Sequence, residues 1–393
     1  MPPESETADP NERFRERRSQ ARKRRHHHRN FALAALVIAA VLVVLGATVI
    51  GSRNHRSGKN AAPGKTAKKK SKPAGPRELP VEVRGVHVTM ALASLHGKLD
   101  EYLRIPGLNT IELDVKDENG EVGFLMPSWT LARKTGATKP YYNARQVAAK
   151  VHQHGAYLIG RVVVFEDPIL TRARPDLAIR TTSGGVWQNN AGLGWTNPYD
   201  KRVWNYVLSI AKTAARAGFD EIQFDYMRFP SDGPIQNAVF PGKTSEAQGW
   251  TIARFIQYMS ARLRPMGVRV SVDVFGLSAT HDLGIGQVPR RISKYVDTVY
   301  PMVYPSHYRS GEFNLPNPSA APGQTVAFSL RDFRSALIGR KAMLIPWLED
   351  FSLGPGRRPP SEVRAQIEAA RRYHTKGFLL WNPEGIYTEE VLK

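Results

Sequence analysis

From residue 81 to the end the chain alternates strand-like and helix-like runs, and this alternation limits the fold more than any other feature. The runs VEVRGVHVT (81–89), NTIELDV (109–115), AYLIGRVVVF (156–165), FDEIQFDY (219–226), VRVSVDVFG (268–276), VDTVYPMVY (296–304), KAMLIPWL (341–348) and GFLLWN (377–382) are rich in β-branched, aliphatic and aromatic residues. Helix-patterned stretches separate them. That order argues for βαβ units and a parallel sheet, and eight strands in roughly 310 residues suit an α/β fold closed as a (β/α)8 barrel. Gly107, Gly155, Gly218, Gly267, Gly339 and Gly377 each stand at or just before the next strand. Glycine is the usual residue just past a helix end, where the backbone turns left-handed. The helix-to-strand links are therefore short. The strand-to-helix links are long, at 116–142, 166–198, 227–245 and 305–325. A barrel enzyme builds its site from these latter loops, so function is expected on the C-terminal face.

Residues 31–50, FALAALVIAAVLVVLGATVI, carry no charge. Such a segment spans roughly 30 Å as a helix, the hydrocarbon thickness of a bilayer, and predicts one transmembrane anchor. The alternative is a cleaved signal peptide, but the run exceeds the usual apolar core of one and no clear A-x-A site follows. Residues 51–79 are rich in Lys, Gly, Pro, Ala and Ser, with Lys68, Lys69 and Lys70 in a row. That composition cannot bury a core and reads as a disordered linker. It suits passage through an anionic cell-wall layer, or a plain solvated spacer. Seven Lys and Arg lie in 16–30 against four in 51–65. Charges close to the span set orientation, so the basic tail 1–30, with His26, His27 and His28, is expected in the cytoplasm. The barrel, 80–393, is then extracytoplasmic.

Net charge is +21, yet residues 1–79 hold 18 Lys and Arg against 6 Asp and Glu. Over half the excess thus lies outside the barrel. No nucleic-acid-binding motif accompanies it, and no nucleic-acid partner is expected. The chain has no cysteine, which excludes disulfides, thiolate metal sites and a cysteine nucleophile. It shows no G-x-G-x-x-G after a strand, no P-loop and no H-E-x-x-H, so no cofactor or metal is expected. His152 and His154 are poorly spaced for joint ligation, and His281 is a weak metal candidate.

Side chains alternate across a strand. In 109–115, Ile111, Leu113 and Val115 oppose Glu112, Asp114 and the following Lys116. In 219–226, Ile222 and Phe224 oppose Glu221, Gln223 and Asp225. In 268–276, Val268, Val270, Val272 and Val274 oppose Arg269, Ser271 and Asp273. With the apolar faces under the helices, Asp114, Asp225 and Asp273 converge inside the barrel near its top. Mutual repulsion should raise the pKa of at least one, as a general acid requires. The competing reading is an internal ion-pair network with Arg161, Arg228 and Lys116 as counterions. The loops and strand ends add Trp129, Trp187, Trp195, Tyr226, Tyr304, Tyr308, Trp347 and Trp381. Aromatic faces stack on sugar C–H surfaces. Trp347 and Trp381 are expected to be half core. Trp187 and Trp195, in a Gly/Asn-rich loop, are expected to be less so.

The runs IQFDYMRFP (222–230), VDVFG (272–276), GQ (286–287) and PMVYPSHY (301–308) resemble the signature motifs of a bacterial family of glycoside hydrolases. Its domain was formerly described as of unknown function and is assigned to the TIM-barrel glycosidase clan. RGVHVT (84–89), LDVKDENG (113–120), RVVVFEDPIL (161–170), PWLEDF (346–351) and LLWN (379–382) fit as well. The resemblance covers about 82–390 and implies a TIM barrel with glycosidase activity, but no particular substrate. The family usually carries Gln at the position of Glu349, so Glu349 is not expected to be the shared catalyst.

Glycoside hydrolysis needs two carboxyl groups flanking the scissile bond. The expected principal carboxylate is Asp225, with Asp273 as acid/base partner and Asp114 as the alternative. Arg161, Arg228, Tyr304 and His307 would orient sugar hydroxyls or the carboxylates. Tyr226, Tyr308, Trp347 and Trp381 would line the substrate. The expected partner is a cell-wall or cell-surface polysaccharide. The second function class is a non-catalytic carbohydrate-binding barrel that tethers the envelope to the membrane.

Overall fold

The computed structural model describes residues 75–353 and 357–393. The expected tail (1–30), the anchor (31–50) and all but the last residues of the linker (51–79) lie outside the described residues. Among the described residues, no helix is long and apolar enough to cross a membrane.

The strands are β1 (Val83–Val88), β2 (Thr110–Lys116), β3 (Tyr157–Val163), β4 (Glu221–Asp225), β5 (Arg269–Phe275), β6 (Thr298–Met302), β7 (Met343–Leu344), β8 (Trp347–Glu349) and β9 (Gly377–Trp381). They pair in parallel in the order β8-β9-β1-β2-β3-β4-β5-β6-β7, and β8 also pairs with β6, which closes the barrel. Seven of the expected runs match a strand to within two residues at each end. The eighth, 341–348, is a correction: this stave is split into β7 and β8 around Ile345 and Pro346. Proline has no N–H to give to the ladder. Register survives the break, with Leu344 opposite Val299 and Trp347 opposite Met302. Trp347 therefore stays on the inner face.

Helices α1 (Lys98–Leu103), α2 (Ala144–Gln153), α3 (Lys201–Ala217), α4 (Gln248–Leu263), α5 (Pro289–Ile292), α6 (Pro322–Ala336) and α7 (Pro360–Arg372) alternate with the eight staves. Local sequence sets their ends. Asn143 caps α2 by accepting the N–H groups of Arg145 and Gln146 at 3.1 and 3.2 Å. Gly218 ends α3 at φ 107°, a conformation that a Cβ disfavours. Gly377 opens β9 so close to β1 that a Cβ would sit 2.1 Å from the Val83 carbonyl oxygen. Any side chain there would wedge the two strands apart.

In α3 the buried residues Val203, Val207, Ile210, Ala211 and Ala214 recur every three or four positions and form one stripe. Ile111, Leu113, Val115, Ile222, Phe224, Val270, Val272 and Val274 are fully buried on the outer face of the staves. Each such side chain contributes about 1.5–3 kcal/mol, so the layer between sheet and helices dominates stability. On the C-terminal side, the loops after β3 and β4 are joined by an antiparallel pairing of Arg180–Thr181 with Ala238–Val239. The Trp187 indole also donates to the Pro234 carbonyl at 3.0 Å. These loops roof one side of the barrel mouth.

Candidate active site

The inner face of the barrel is polar, as strand parity predicts, and it is layered. Near the N-terminal end, Glu221 accepts hydrogen bonds from the hydroxyls of Tyr157 (3.1 Å) and Tyr300 (2.9 Å). Burial pushes this carboxyl up. The two phenols close the floor.

Above it Arg161 on β3 reaches across two neighbouring staves. It donates to Asp114 Oδ1 at 2.6 Å, and to Asp225 Oδ2 from Nε at 3.0 Å and Nη2 at 2.6 Å. Glu118 and Glu112 lie 3.8 and 3.9 Å from the same guanidinium. Asp225 Oδ1 accepts the backbone N–H of Tyr226 at 2.7 Å. All these contacts to Asp225 are N–H donors, which suits a carboxylate that only accepts. Tyr226 is held at φ 51°. A non-glycine residue in this region signals strain, which concentrates at functional sites.

Asp273 follows a different rule. The pairing of Gln223 with Ser271 and Phe224 with Val272 puts Asp225 and Asp273 level with each other on adjacent staves, one position further along. Asp273 is buried, and its Oδ1 accepts the Trp347 indole N–H at 2.7 Å. Burial, then the charges of Asp225 and Glu112, hold its carboxyl well above the usual range. Its neutral form is therefore favoured over that of an exposed aspartate. Gln287 explains the GQ motif: it accepts the Phe275 N–H at 2.9 Å and donates to the Asp273 carbonyl at 3.2 Å, fixing the end of β5.

Tyr304, Phe351 and Trp381 form an aromatic box with centroids 5.0–5.8 Å apart. The Tyr304 phenol is buried, and the charges of Asp273 and Asp225 raise it further. His307 packs on Tyr304 and Phe351. Part of the residue reaches solvent but Nε2 does not. Loss of water holds its pKa down at about 4, so the imidazole is neutral.

Several expected residues stand elsewhere. Lys116 is no counterion to the three aspartates. It is fully buried against Asp167 at 3.1 Å and donates to the carbonyls of Val163 (2.9 Å) and Glu166 (3.3 Å). A bulge between Asp114 and Lys116 breaks the simple alternation here. Arg228 is stacked among the rings of Trp195, Tyr226 and Phe275 at 4.8–5.0 Å and donates to Phe229 and Ser231. Tyr308 gives its hydroxyl to Ser329 at 3.0 Å, and the charges beside it are Glu312 and Asp332. Trp187 and Trp195 are fully buried, which corrects the expectation of a less core-like loop. The polar loop sequence is folded over them, and indole area is too apolar to leave in water when a roof is available. Glu349 is fully buried, pairs with Arg358 and accepts the Ser306 N–H at 2.9 Å.

Strand parity did not single out His87 and Glu112 as a unit. On β1 and β2 they sit opposite each other in register and share a short contact between His87 Nδ1 and Glu112 Oε2. His87 Nε2 lies 3.7 Å from Asp114 Oδ2. Burial raises the Glu112 carboxyl, against the pull of His87. His87 precedes Val88 in the RGVHVT run, and its inward parity was the available signal. His152 bonds Asp220 at 2.9 Å and His154 bonds the Lys150 carbonyl at 3.0 Å. Among the described residues, no group of three or more His, Asp or Glu could hold a metal ion.

Residues 85–387 match a family model described as "putative glycosyl hydrolase domain". No curated protein matches the sequence. Among solved structures, a hypothetical protein from Ruminiclostridium thermocellum is 35% identical over 48% of this chain and 97% of its own, with a TM-score of 0.44. The spore cortex-lytic enzyme SleL from Bacillus megaterium is 14% identical over 82% of this chain and 74% of its own, with a TM-score of 0.48. Alpha-L-fucosidase isoenzyme 2 from Paenibacillus thiaminolyticus is 15% identical over 79% of this chain and 48% of its own, with a TM-score of 0.51. At that identity the fucosidase shares the fold alone.

Proposed function

The chain belongs to the glycosyl hydrolase family that it matches over residues 85–387 and is a glycoside hydrolase, and from that premise we propose that it cleaves a cell-wall or cell-surface polysaccharide with Asp273 as general acid and Asp225 as the second carboxylate. Asp273 gives its proton to the glycosidic oxygen as the C–O bond breaks. Asp225, held by Arg161, faces the sugar as nucleophile, or as the base that activates water. Water supplies the hydroxyl of the new reducing end. Asp114 shares Arg161 with Asp225 and keeps that guanidinium in place. Tyr304, neutral His307 and the box of Phe351 and Trp381 would receive sugar hydroxyls and ring faces, as would Tyr226. Trp129, 76% exposed on the loop after β2, offers a further stacking surface toward the rim.

One observation carries this reading: two carboxyls on adjacent staves stand in unlike surroundings, one bound by a guanidinium and one buried on an indole N–H. We further propose that residues 31–50 anchor the chain in the membrane, with the basic tail in the cytoplasm and the barrel outside. The charge bias around that segment supports this. Protease added to intact cells with a permeable envelope should then remove the barrel.

The test of function incubates the full-length protein with a panel of envelope polysaccharides and assays new reducing ends. Reducing ends from the wild type, lost in Asp273→Asn, support the assignment. Tight binding with no new ends would make the barrel a carbohydrate-binding module instead.

A further inference from the structure

We propose that Trp347 is the positioning residue of the acid: its indole N–H occupies Asp273 Oδ1, so that the transferable proton resides on Oδ2 and faces the substrate. This deepens the reading above and rests on it. The geometry is specific. Trp347 is buried on β8, the second half of the split stave, and its Nε1 lies 2.7 Å from Asp273 Oδ1. An indole N–H only donates, so the oxygen that it binds is the acceptor oxygen of the acid. The other face of Trp347 is held edge-on by the His87 ring, with centroids 6.4 Å apart and planes at 72°. This ring contact comes from β1. Gln287 holds the Asp273 backbone from the opposite side.

The titratable and charged groups that act on Asp273 are Asp225 from β4, Glu112 from β2 and Arg161 from β3. Tyr300 and Tyr304, on and just after β6, are influenced by it in turn. Against this background, the Trp347 N–H favours the ionised form of Asp273, while burial opposes it. Removing the N–H should therefore raise the acid's pKa further. A hydrogen bond to a charged group corresponds to a shift of roughly one to two pH units.

Two replacements separate the N–H from the ring. Trp347→Phe removes the donor. Replacing Trp347 with benzothienylalanine, in which sulfur stands for N–H, removes it with the bicyclic shape kept. The pH dependence of kcat/KM is measured on full-length protein, together with a 13C titration of the Asp273 carboxyl without substrate. The expected result is a basic limb and a carboxyl titration both moved up by about one unit, with kcat lowered and KM little changed. An unmoved carboxyl titration in the benzothienyl protein overturns the proposal, whatever happens to activity. A rise in KM with an unmoved basic limb also overturns it and makes Trp347 a sugar contact. Continued activity of Asp273→Asn would instead sink the acid assignment. The titration would still report whether Trp347 grips the carboxyl.

Discussion

Two buried acidic centres lie at the C-terminal ends of staves in this barrel, and they are built on opposite plans. At the end of β8, Glu349 is closed on itself. Arg358 takes one oxygen and the Ser306 N–H the other, and the Gln366 side chain takes both backbone groups of Glu349. Arg358 also pairs with Glu362 in the first turn of α7. The result ties stave, loop and helix together. In the centre formed by β2, β3, β4 and β5, one cation serves two aspartates, and the third carboxyl, Asp273, accepts an indole N–H. Burial is equal in the two places. One guanidinium serves two carboxyls in each place, Arg358 for Glu349 and Glu362 and Arg161 for Asp114 and Asp225; what differs is the third carboxyl of the open centre, Asp273, which is bonded by an indole N–H instead. Burial raises both carboxyls, but at Glu349 the Arg358 charge and the Ser306 N–H oppose the rise, whereas at Asp273 the charges of Asp225 and Glu112 add to it.

The largest expected effect tests the open centre. Asp225→Asn keeps shape and one acceptor oxygen but removes the charge and turns the other acceptor into a donor. Arg161 retains Asp114, so the guanidinium is not abandoned. Loss of a catalytic carboxylate removes several kcal/mol of transition-state stabilisation, so kcat should fall by about three powers of ten or more. The melting temperature should move little. Near-normal kcat would show that Asp225 only fastens Arg161. Lost activity with a collapsed melting temperature would make the open centre structural, like the closed one.

The mirror experiment is Glu349→Ala. It leaves Arg358 buried with Glu362 alone. Breaking a buried pair costs on the order of 3 kcal/mol, so thermal or urea unfolding should register a clear loss of stability. The barrier to hydrolysis should change by less than about 1.4 kcal/mol, under tenfold in kcat. A kcat loss as deep as that of Asp225→Asn, with stability intact, would erase the distinction between the two centres.

This contrast was only half legible in the sequence. Parity within a strand is local, so Glu112, Asp114, Asp225 and Asp273 could be aimed inward from their neighbours alone. The staves followed for the same reason, since alternation and flanking glycines are local signals. Which cation meets which acid is not local. Lys116 lies two positions after Asp114 and looked like its counterion, but the bulge beside it delivers it to Asp167. Arg228 sits near Asp225 in sequence yet is drawn among three rings, because cation–π stacking satisfies a buried guanidinium. The pairing of Trp347 with Asp273 spans 74 residues. No period or motif encodes it. Trp187 and Trp195 misled because loop composition describes the chain that covers them rather than the rings themselves.

A subtler test uses stability against pH. The Asp273 carboxyl titrates higher in the folded protein than in the unfolded chain. Its contribution to stability is therefore fully present below the unfolded value, near 4, and is lost as pH rises toward the folded value. Within that window the loss approaches about 1.4 kcal/mol per pH unit for the one group. Asp273→Asn removes this slope. It should be inactive, yet gain on the wild type in melting temperature as pH rises above about 4. Parallel melting curves for the two proteins across that range would mean that Asp273 is ionised in the fold, and the acid assignment would fail.

The smallest expected effect lies at the rim, where charge gives way to surface. Trp129 is 76% exposed, whereas Trp187, Trp195, Trp204, Trp347 and Trp381 are all buried. Leaving an indole in water forgoes the apolar burial that those five rings obtain; of the seven tryptophans only Trp250, 39% exposed on α4, is also exposed. It stands in the long link after β2, whose strand carries Asp114 at its inner C-terminal end. A polymer entering the mouth could lay a sugar ring on it without reaching the carboxylates. Stacking of this kind contributes about 0.5–1.5 kcal/mol, so Trp129→Ala should raise KM for a long polysaccharide by roughly two- to tenfold. Its kcat should hold, since the ring touches no reacting atom. A short oligosaccharide that fills only the carboxylate centre should show no change in either constant. Equal losses on long and short substrates would place Trp129 in the centre itself. No loss on either would leave it a surface residue with no part in binding.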